Sequence, residues 1–134
     1  MVAIDSETLV LIVEDDTDTA DMLRRLFVKR RLGTDRIQAV GDVPAALEFL
    51  HQATPRCMII DERLPGLSGL DLLRLIRAQP EFQDVAIFFY SAIYDWRKQM
   101  EAEALGAHWY VKGVSRITDL ILQVARICGY DENV

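Results

Sequence analysis

The segment LVLIVEDD at residues 9–16 decides the fold class, because five apolar residues are followed directly by three acidic ones. A short apolar run that is rich in β-branched side chains and bounded by charge is typical of a parallel strand covered on both faces. Similar runs recur along the chain at residues 36–40, 57–60, 85–89 and 108–111. The sequence therefore predicts five buried strands.

The stretches between these runs carry apolar residues at helical spacing. The first spans about residues 17–31, and its acids precede its bases, which suits the dipole of a helix. The remaining helical patterns cover residues 43–50, 70–76, 100–105 and 117–127. Strand and helix thus alternate five times, which predicts an α/β protein: a doubly wound (βα)5 three-layer sandwich with a parallel sheet and right-handed crossovers.

Individual residues predict where elements begin and end. Asp42 is expected to cap the second helix, Gly33 to close the first and Ser115 to cap the last. The only two cysteines, Cys57 and Cys128, lie in apolar runs, and we expect them to be buried free thiols. A disulfide between them stays an open alternative.

Length and charge exclude several classes of protein. The 134 residues suit one domain over residues 1–134, with a core at about 9–128. The net charge of 15 − 21 = −6 opposes direct binding to nucleic acid and to anionic lipid. The apolar runs are too short to span a membrane, and the first nine residues lack the pattern of a signal peptide. We therefore expect a cytoplasmic domain without membrane contact.

Polar residues follow four of the predicted strands, at the edge where an open parallel sheet binds its ligands. They are Glu14, Asp15 and Asp16; Asp61 and Glu62; Tyr90 and Ser91; and Lys112. Converging carboxylates are tolerable if a divalent cation lies among them, and oxygen ligands suit Mg²⁺. In the alternative interpretation, the acids only cap the first helix and solvate the edge. A glycine-rich phosphate loop would need Gly where Glu14 and Asp15 stand, so a nucleotide site is disfavoured.

Four motifs in order, LVLIVEDD, MIIDERLPGLSG, FFYSA and WYVKG, resemble the receiver domain of two-component response regulators. The resemblance covers about residues 9–128 and implies a flavodoxin-like, CheY-like fold with strand order 2-1-3-4-5. It also implies a switch that takes a phosphoryl group from a phosphohistidine of a sensor kinase or a histidine phosphotransfer protein. Such a domain catalyses its own phosphorylation and dephosphorylation but is not an enzyme acting on an external substrate.

The resemblance implies roles for the acids at the strand ends. Asp61 corresponds to the aspartate that accepts the phosphoryl group. Glu14 and Asp15 correspond to the acidic pair that, together with Asp61, holds Mg²⁺ or Mn²⁺. The main-chain carbonyl of Arg63 would complete the protein ligands of the metal.

Other positions correspond to residues that contact the phosphoryl group or respond to it. Ser91 matches the small hydroxyl residue and Lys112 the lysine that pair with the phosphoryl oxygens, and Trp109 takes the place of the switch aromatic. Arg63 and Ile93 occupy the two positions that tune access of the hydrolytic water. We expect the apolar Ile93 to hinder that water and to prolong the phosphorylated state.

Two positions depart from the family pattern. Gly113 follows Lys112 where the family typically has a proline, often with a cis peptide, so the loop into the last helix is expected to be looser or differently shaped. Trp109 is larger than the usual tyrosine or phenylalanine, and the sequence does not determine which way it points. Both departures concern the coupling of the switch more than the phosphorylation itself.

Partner contact is expected on the fourth helix, fifth strand and fifth helix, where Tyr94, Trp96 and Arg97 are candidates for a homodimer or effector contact. The sequence leaves two other classes of function open. A phosphorylation-independent interaction module could keep the same fold and site. A hydrolase with an aspartyl nucleophile would generally carry a second aspartate where this chain has Arg63. His51 and His108 lack the spacing of metal ligands and are expected to be structural or exposed.

Overall fold

The computed structural model describes residues 7–130, in which five strands alternate with five helices as the sequence predicted. The strands are β1 Val10–Val13, β2 Ile37–Val40, β3 Cys57–Ile60, β4 Ala86–Ser91 and β5 His108–Val111. The helices are α1 Thr17–Val28, α2 Val43–Gln52, α3 Gly69–Arg77, α4 Trp96–Ala104 and α5 Ile117–Ile127, and short 3₁₀ turns lie at Thr34–Arg36 and Pro80–Phe82.

The five strands form one parallel sheet in the order β2-β1-β3-β4-β5, which confirms the predicted topology. Strand β1 lies between β2 and β3, where Val13 lies beside Val40 on one side and Ile60 on the other. Ile60 in turn lies beside Phe89 of β4. The carboxyl ends of the strands therefore reach one edge of the sheet, and the switch in strand order falls between β1 and β3.

Two apolar layers cover the sheet, one on each face. Leu11 and Val13 point toward the layer formed with α2, α3 and α4, whereas Val10 and Ile12 point toward α1 and α5. All four of these side chains are fully buried. Burying an aliphatic side chain of this size stabilises a fold by about 1.5–3 kcal/mol, so the strands need covering on both faces.

The end of α1 differs from its prediction. The helix stops at Val28 rather than near Arg31, because Arg31 adopts the left-handed conformation with φ 70° and the N–H of Leu32 donates to the carbonyl of Phe27. Gly33 has an extended backbone, with φ −64° and ψ 152°, and precedes the first 3₁₀ turn. The prediction that Gly33 closes the helix was therefore wrong, and an arginine does so instead.

The predicted caps of α2 and α5 have opposite outcomes. Asp42 caps α2, accepting a hydrogen bond of 2.9 Å from the N–H of Ala45, as predicted. The cap position of α5 is Arg116, whose side chain makes no capping bond, so the prediction for Ser115 was wrong. Ser115 Oγ instead accepts from the N–H of Val111 at 2.8 Å and holds the turn that leaves β5.

The two cysteines are free and buried, as predicted. A hydrogen bond with Cys128, together with burial, raises the pKa of the Cys57 thiol above its usual range. Among the helices of residues 7–130, none is both long enough and apolar enough to cross a membrane.

Candidate functional site

The hydrogen-bonded ladder of the sheet continues one residue beyond β1 and β3 and so positions two acids side by side. The N–H of Glu14 donates to the carbonyl of Val40 at 2.9 Å, and the N–H of Asp61 donates to the carbonyl of Val13 at 3.0 Å. Carboxylate oxygens of Glu14, Asp15 and Asp61 lie within 4.8 Å of one another. The structure thus brings together the three acids that the sequence singled out.

This acidic cluster is largely removed from water. Glu14 is 6% and Asp61 8% exposed, whereas Asp15 is exposed. Burial raises the pKa of Glu14, and although hydrogen bonds from Lys112 and the N–H of Asp16 act against it, the charge of Asp61 adds to the rise. Asp61 Oδ1 is buried and has no hydrogen-bond partner among the described residues. An unpaired carboxylate oxygen among other acids is the donor arrangement that a hard divalent cation fits.

Lys112 supplies the positive charge of the site. Its N–H donates to the carbonyl of Ser91 at 2.9 Å, which holds the residue at the end of β5. Its Nζ lies 2.8 Å from Glu14 Oε1 and 3.5 Å from Asp61 Oδ2, and 5.5 Å from the centre of the Tyr90 ring. Burial acts to lower the pKa of Lys112, but the hydrogen bond to Glu14 and the charges of Asp61 and Glu14 outweigh it and raise that pKa. The ammonium group therefore stays charged between the two carboxylates.

Ser91 is the last residue of β4 and is fully buried. Since Ile60 lies beside Phe89, Ser91 is one residue further along its strand than the position next to Asp61. Its Oγ accepts a hydrogen bond of 3.2 Å from the N–H of Ile93, which is half-buried in the loop after β4. The hydroxyl is thus oriented by this loop at the same edge of the sheet as the acids.

The side chain of Trp109 points into the protein, a question that the sequence left open. Its indole is 8% exposed and stacks on Phe89 with ring centres 4.8 Å apart. The indole Nε1 has no hydrogen-bond partner among the described residues. Trp109 therefore fills the apolar layer beneath α2, α3 and α4 in this structure.

Gly113 has a backbone conformation that few other residues adopt. Its φ is +77°, in the left-handed region that favours glycine, and residues 7–130 contain no cis peptide bond. A Cβ at this position would meet nothing within 4 Å. The loop after Lys112 therefore depends on glycine for its conformation rather than for space.

Asp16 follows the alternative interpretation in which the acids cap the first helix. It accepts hydrogen bonds from the N–H of Asp18 at 3.3 Å and from Thr19 Oγ1 at 2.6 Å. The hydrogen bond from Thr19 is the main reason that the pKa of Asp16 is lowered. Asp16 therefore caps α1, whereas Glu14 and Asp15 are the acids whose carboxylates lie close to Asp61.

Two residues close to Asp61 have structural roles that were not predicted from the sequence. Glu62, noted only as a strand-end acid, is 3% exposed, and its carboxylate contacts α3 and α4. Gly69 begins α3 at a place where a Cβ would collide with the carbonyl oxygen of Asp61. The sequence SGLD at residues 68–71 indicates the start of α3, because Ser68 and Asp71 form a capping box.

The predicted contact residues on and before α4 are exposed. Tyr94 is 68% and Trp96 56% exposed, and the guanidinium of Arg97 lies 5.4 Å from the Trp96 ring centre. Met100 and Val114 are further exposed apolar residues, at 59% and 80%. The two histidines are exposed as well, and His108 stacks on Phe88 at the edge of the sheet. Exposed apolar surface thus lies on α4 and in the loops near it.

Comparison with known proteins agrees with this geometry. The family model described as the response regulator receiver domain matches residues 10–125. Protein RcaC of Microchaete diplosiphon is 27% identical over 122 residues, which cover 88% of this chain and 18% of that protein. Chemotaxis protein CheY of Pseudomonas aeruginosa is 28% identical over 102 residues, or 76% of this chain and 81% of that protein.

A solved structure supports the fold. The signal receiver domain of a signal transduction histidine kinase from Syntrophus aciditrophicus superposes with a TM-score of 0.77. The match covers 95% of this chain and 94% of that chain at 22% sequence identity. This likeness shows that the arrangement of strands and helices is shared, while the family assignment rests on the sequence match over residues 10–125.

Proposed function

The chain belongs to the response regulator receiver domain family of two-component systems, and from that premise we propose that Asp61 is the residue that accepts the phosphoryl group. The observation that carries the proposal is the environment of its carboxylate. Oδ1 is buried without a partner, while Oδ2 lies 3.5 Å from the ammonium of Lys112. One oxygen therefore has no partner within the protein, and the other already lies near positive charge.

Receiver domains bind Mg²⁺ in an acidic pocket, and we propose that Glu14, Asp15 and Asp61 hold it here, with Mn²⁺ as an alternative. We propose the main-chain carbonyl of Arg63 as a further ligand, by correspondence with the family. The cation, when bound, neutralises negative charge on the phosphoryl oxygens during transfer. The close spacing of the three carboxylates supports this assignment, because it is repulsive without a cation.

The residues of the chain itself then carry the transfer. A carboxylate oxygen of Asp61 attacks phosphorus in line, forming an O–P bond as the P–N bond to the donor histidine breaks and the imidazole leaves. Lys112 pairs with a phosphoryl oxygen, which it reaches from its present position between Glu14 and Asp61. Ser91 Oγ accepts from Ile93, so its own hydroxyl proton can be donated to a second phosphoryl oxygen.

Phosphorylation adds about −1.5 to −2 charges at this edge, and charge-assisted bonds to Ser91 and Lys112 favour a second conformation. We propose Trp109 as the aromatic that responds, through its contact with Phe89 of β4. Arg63 and Ile93 are proposed to set the access of hydrolytic water. The main-chain N–H of Ile93 donates to Ser91 Oγ and the residue is half-buried, which supports the proposal that its apolar side chain slows hydrolysis.

The donor is proposed to be a sensor histidine kinase or a histidine phosphotransfer protein in the cytoplasm. The output is proposed to be a change in homodimer or effector contact on the surface formed by α4, β5 and α5. The exposed Tyr94, Trp96 and Met100 support this surface, since exposed aromatic and Met side chains are enriched at interfaces. Catalysis is proposed to be limited to the phosphorylation and dephosphorylation of Asp61 within one domain, residues 1–134.

The test is intact mass spectrometry of the chain after incubation with acetyl phosphate and Mg²⁺. We expect one added phosphoryl group, lost in Asp61→Asn and when EDTA removes the metal. Asp16→Asn is the matched control, because Asp16 caps α1 and is not among the three clustered acids, and asparagine caps equally well. This variant should be labelled as the wild type is.

Two outcomes contradict the proposal. Equal labelling of Asp61→Asn would place the phosphoryl group on another residue. No labelling from either acetyl phosphate or a phosphorylated histidine phosphotransfer protein would instead favour the phosphorylation-independent interaction module.

A further inference from the structure

Two ion pairs attach α4 to the rest of the protein, and they lead to different places. Lys98 Nζ lies 3.0 Å from Glu62 Oε2, in the residue directly after Asp61. Glu101 Oε1 accepts a hydrogen bond of 2.7 Å from Arg74 Nη2 on α3. The first pair joins α4 to the loop that carries the phosphoryl acceptor, whereas the second joins α4 to its neighbouring helix only.

Each oxygen atom of Glu62, in the carboxylate and in the main chain, makes a contact that holds the residue in place. Its Oε1 accepts from the N–H of Leu70 at 2.9 Å, and its main-chain carbonyl accepts from the N–H of Gly69 at 3.0 Å. Its Oε2 pairs with Lys98, and the side chain is only 3% exposed. A residue held in this way cannot shift without moving or breaking its contact with α4.

Stability alone is a poor reason for this arrangement. Burying a carboxylate costs free energy that its ion pair only partly offsets, and well-packed apolar residues often serve as well. Lys98 contributes a side chain that is 39% exposed, so solvent further weakens the pair. What the pair does supply is a defined position for Glu62 relative to both Asp61 and α4.

We propose that Glu62 is a positioning residue that couples the phosphorylation state of Asp61 to α4 through Lys98. This inference rests on the proposed role of Asp61 and deepens it. When the acceptor loop rearranges around the added phosphoryl charge, the carboxylate of Glu62 either carries Lys98 with it or releases it, and both responses change α4. The same helix bears the exposed Trp96 and Met100, so the coupling reaches the proposed partner surface.

The test is hydrogen exchange of α4 in the full chain, with and without Mg²⁺ and beryllofluoride, which mimics a phosphoryl group on an aspartate. The variant Glu62→Gln keeps the shape of the side chain and its acceptor for Leu70 but removes the charge that pairs with Lys98. Glu101→Gln is the matched control, because it weakens the other ion pair of α4. A ¹⁹F NMR signal from bound beryllofluoride reports the site independently of α4.

We expect beryllofluoride to change the exchange of α4 in the wild type and in Glu101→Gln. In Glu62→Gln the bound ¹⁹F signal should persist while most of the change at α4 is lost. Lys98→Gln, made on a partly exposed side chain, should show the same loss and guards against a folding defect of Glu62→Gln. These two variants therefore separate binding at the site from its transmission.

The other outcomes overturn the inference in distinguishable ways. An unreduced response of α4 in both Glu62→Gln and Lys98→Gln would show that the pair transmits nothing. Equal loss in Glu101→Gln would show that α4 responds to its packing in general. Absence of a bound ¹⁹F signal in the wild type would overturn the proposed role of Asp61 first, and the coupling with it.

Discussion

The two ends of the sheet treat polar groups differently. Among residues 7–130, five polar side chains are buried, and four of them lie at or just beyond the carboxyl ends of strands: Glu14, Asp61, Glu62 and Ser91, with Thr8 as the exception. At the opposite end, β1 and β3 begin with Val10 and Cys57, which are fully buried and belong to an apolar layer. The cost of burying charge is thus concentrated at the edge where the proposed chemistry occurs.

The interior side chains therefore serve to stabilise the fold, whereas the side chains at the edge serve the proposed chemistry. Interior side chains stabilise the fold by removing apolar surface from water, at about 25 cal/mol per Å². At the edge, the two buried carboxylates of Glu14 and Asp61 share the ammonium of Lys112, so negative charge exceeds positive charge there. We therefore expect truncation in the interior to destabilise the fold, whereas removal of a charge at the edge does not.

The largest effect is expected for Phe88→Ala. Phe88 is fully buried in β4 and packs in the layer with α1 and α5, so its loss leaves a cavity. Phe→Ala in a core costs about 3–5 kcal/mol of unfolding free energy, measured here by urea denaturation. The control Tyr94→Ala, at a residue 68% exposed, should change stability by less than about 0.5 kcal/mol. A cost below about 1 kcal/mol for Phe88→Ala would show that the interior is not closely packed.

The interior was also the part that the sequence predicted well. The runs beginning at Leu9 and at Cys57 combine β-branched residues with bounding charges, and this pattern alone distinguishes a strand covered on both faces. The edge was predicted by a second rule, that ligands gather at the carboxyl ends of parallel strands. Because register places Glu14 and Asp61 side by side, their convergence follows from the topology.

What the sequence could not predict depends on local backbone geometry or on contacts distant in the chain. The end of α1 is set by Arg31 in a left-handed conformation, which arginine rarely adopts, so Gly33 was the more plausible terminator. Ser115 had two hydrogen-bonding options, and the bond from Val111 competes with capping. Glu62 follows β3 and Lys98 lies in α4, so the spacing of residues in the sequence does not indicate their contact.

A second, smaller effect is expected at the edge, with the opposite sign. Asp61→Asn removes one negative charge from the cluster with Glu14 and Asp15 while keeping the size of the side chain. In metal-free buffer we expect the unfolding free energy to stay the same or to rise by up to about 1 kcal/mol, since repulsion between carboxylates is relieved. Thermal unfolding checks this, with Asp16→Asn as the control. A loss of more than about 1 kcal/mol would mean that Asp61 stabilises the fold.

The smallest effect is expected in the pH dependence of stability, which distinguishes acids at the surface from acids at the edge of the sheet. At the start of α3, where Asp71 is half-buried, hydrogen bonds from the N–H and then the hydroxyl of Ser68 are the main causes that lower the pKa of Asp71, and Arg74 adds to them. A lowered folded-state pKa means stability that is present above the unfolded value of about 3.9 and is lost as pH falls through the folded value. Glu14 acts in the opposite sense, because its raised pKa means that ionisation costs stability as pH rises.

The measurement is the melting temperature of the wild type and of Asp71→Asn between about pH 6 and pH 3. Asparagine resembles a protonated aspartate, so the wild type should melt higher at pH 6 and the two curves should converge toward pH 3. The position of the convergence, below the ordinary pKa of an aspartate, reports the hydrogen bonds that the Asp71 carboxylate accepts from Ser68, chiefly the one from its N–H. A difference that persists unchanged at low pH would show that the Asp71 carboxylate adds nothing by being ionised. The charge of Asp71 would then not be stabilising, and its contrast with the destabilising charge at the edge of the sheet would not hold.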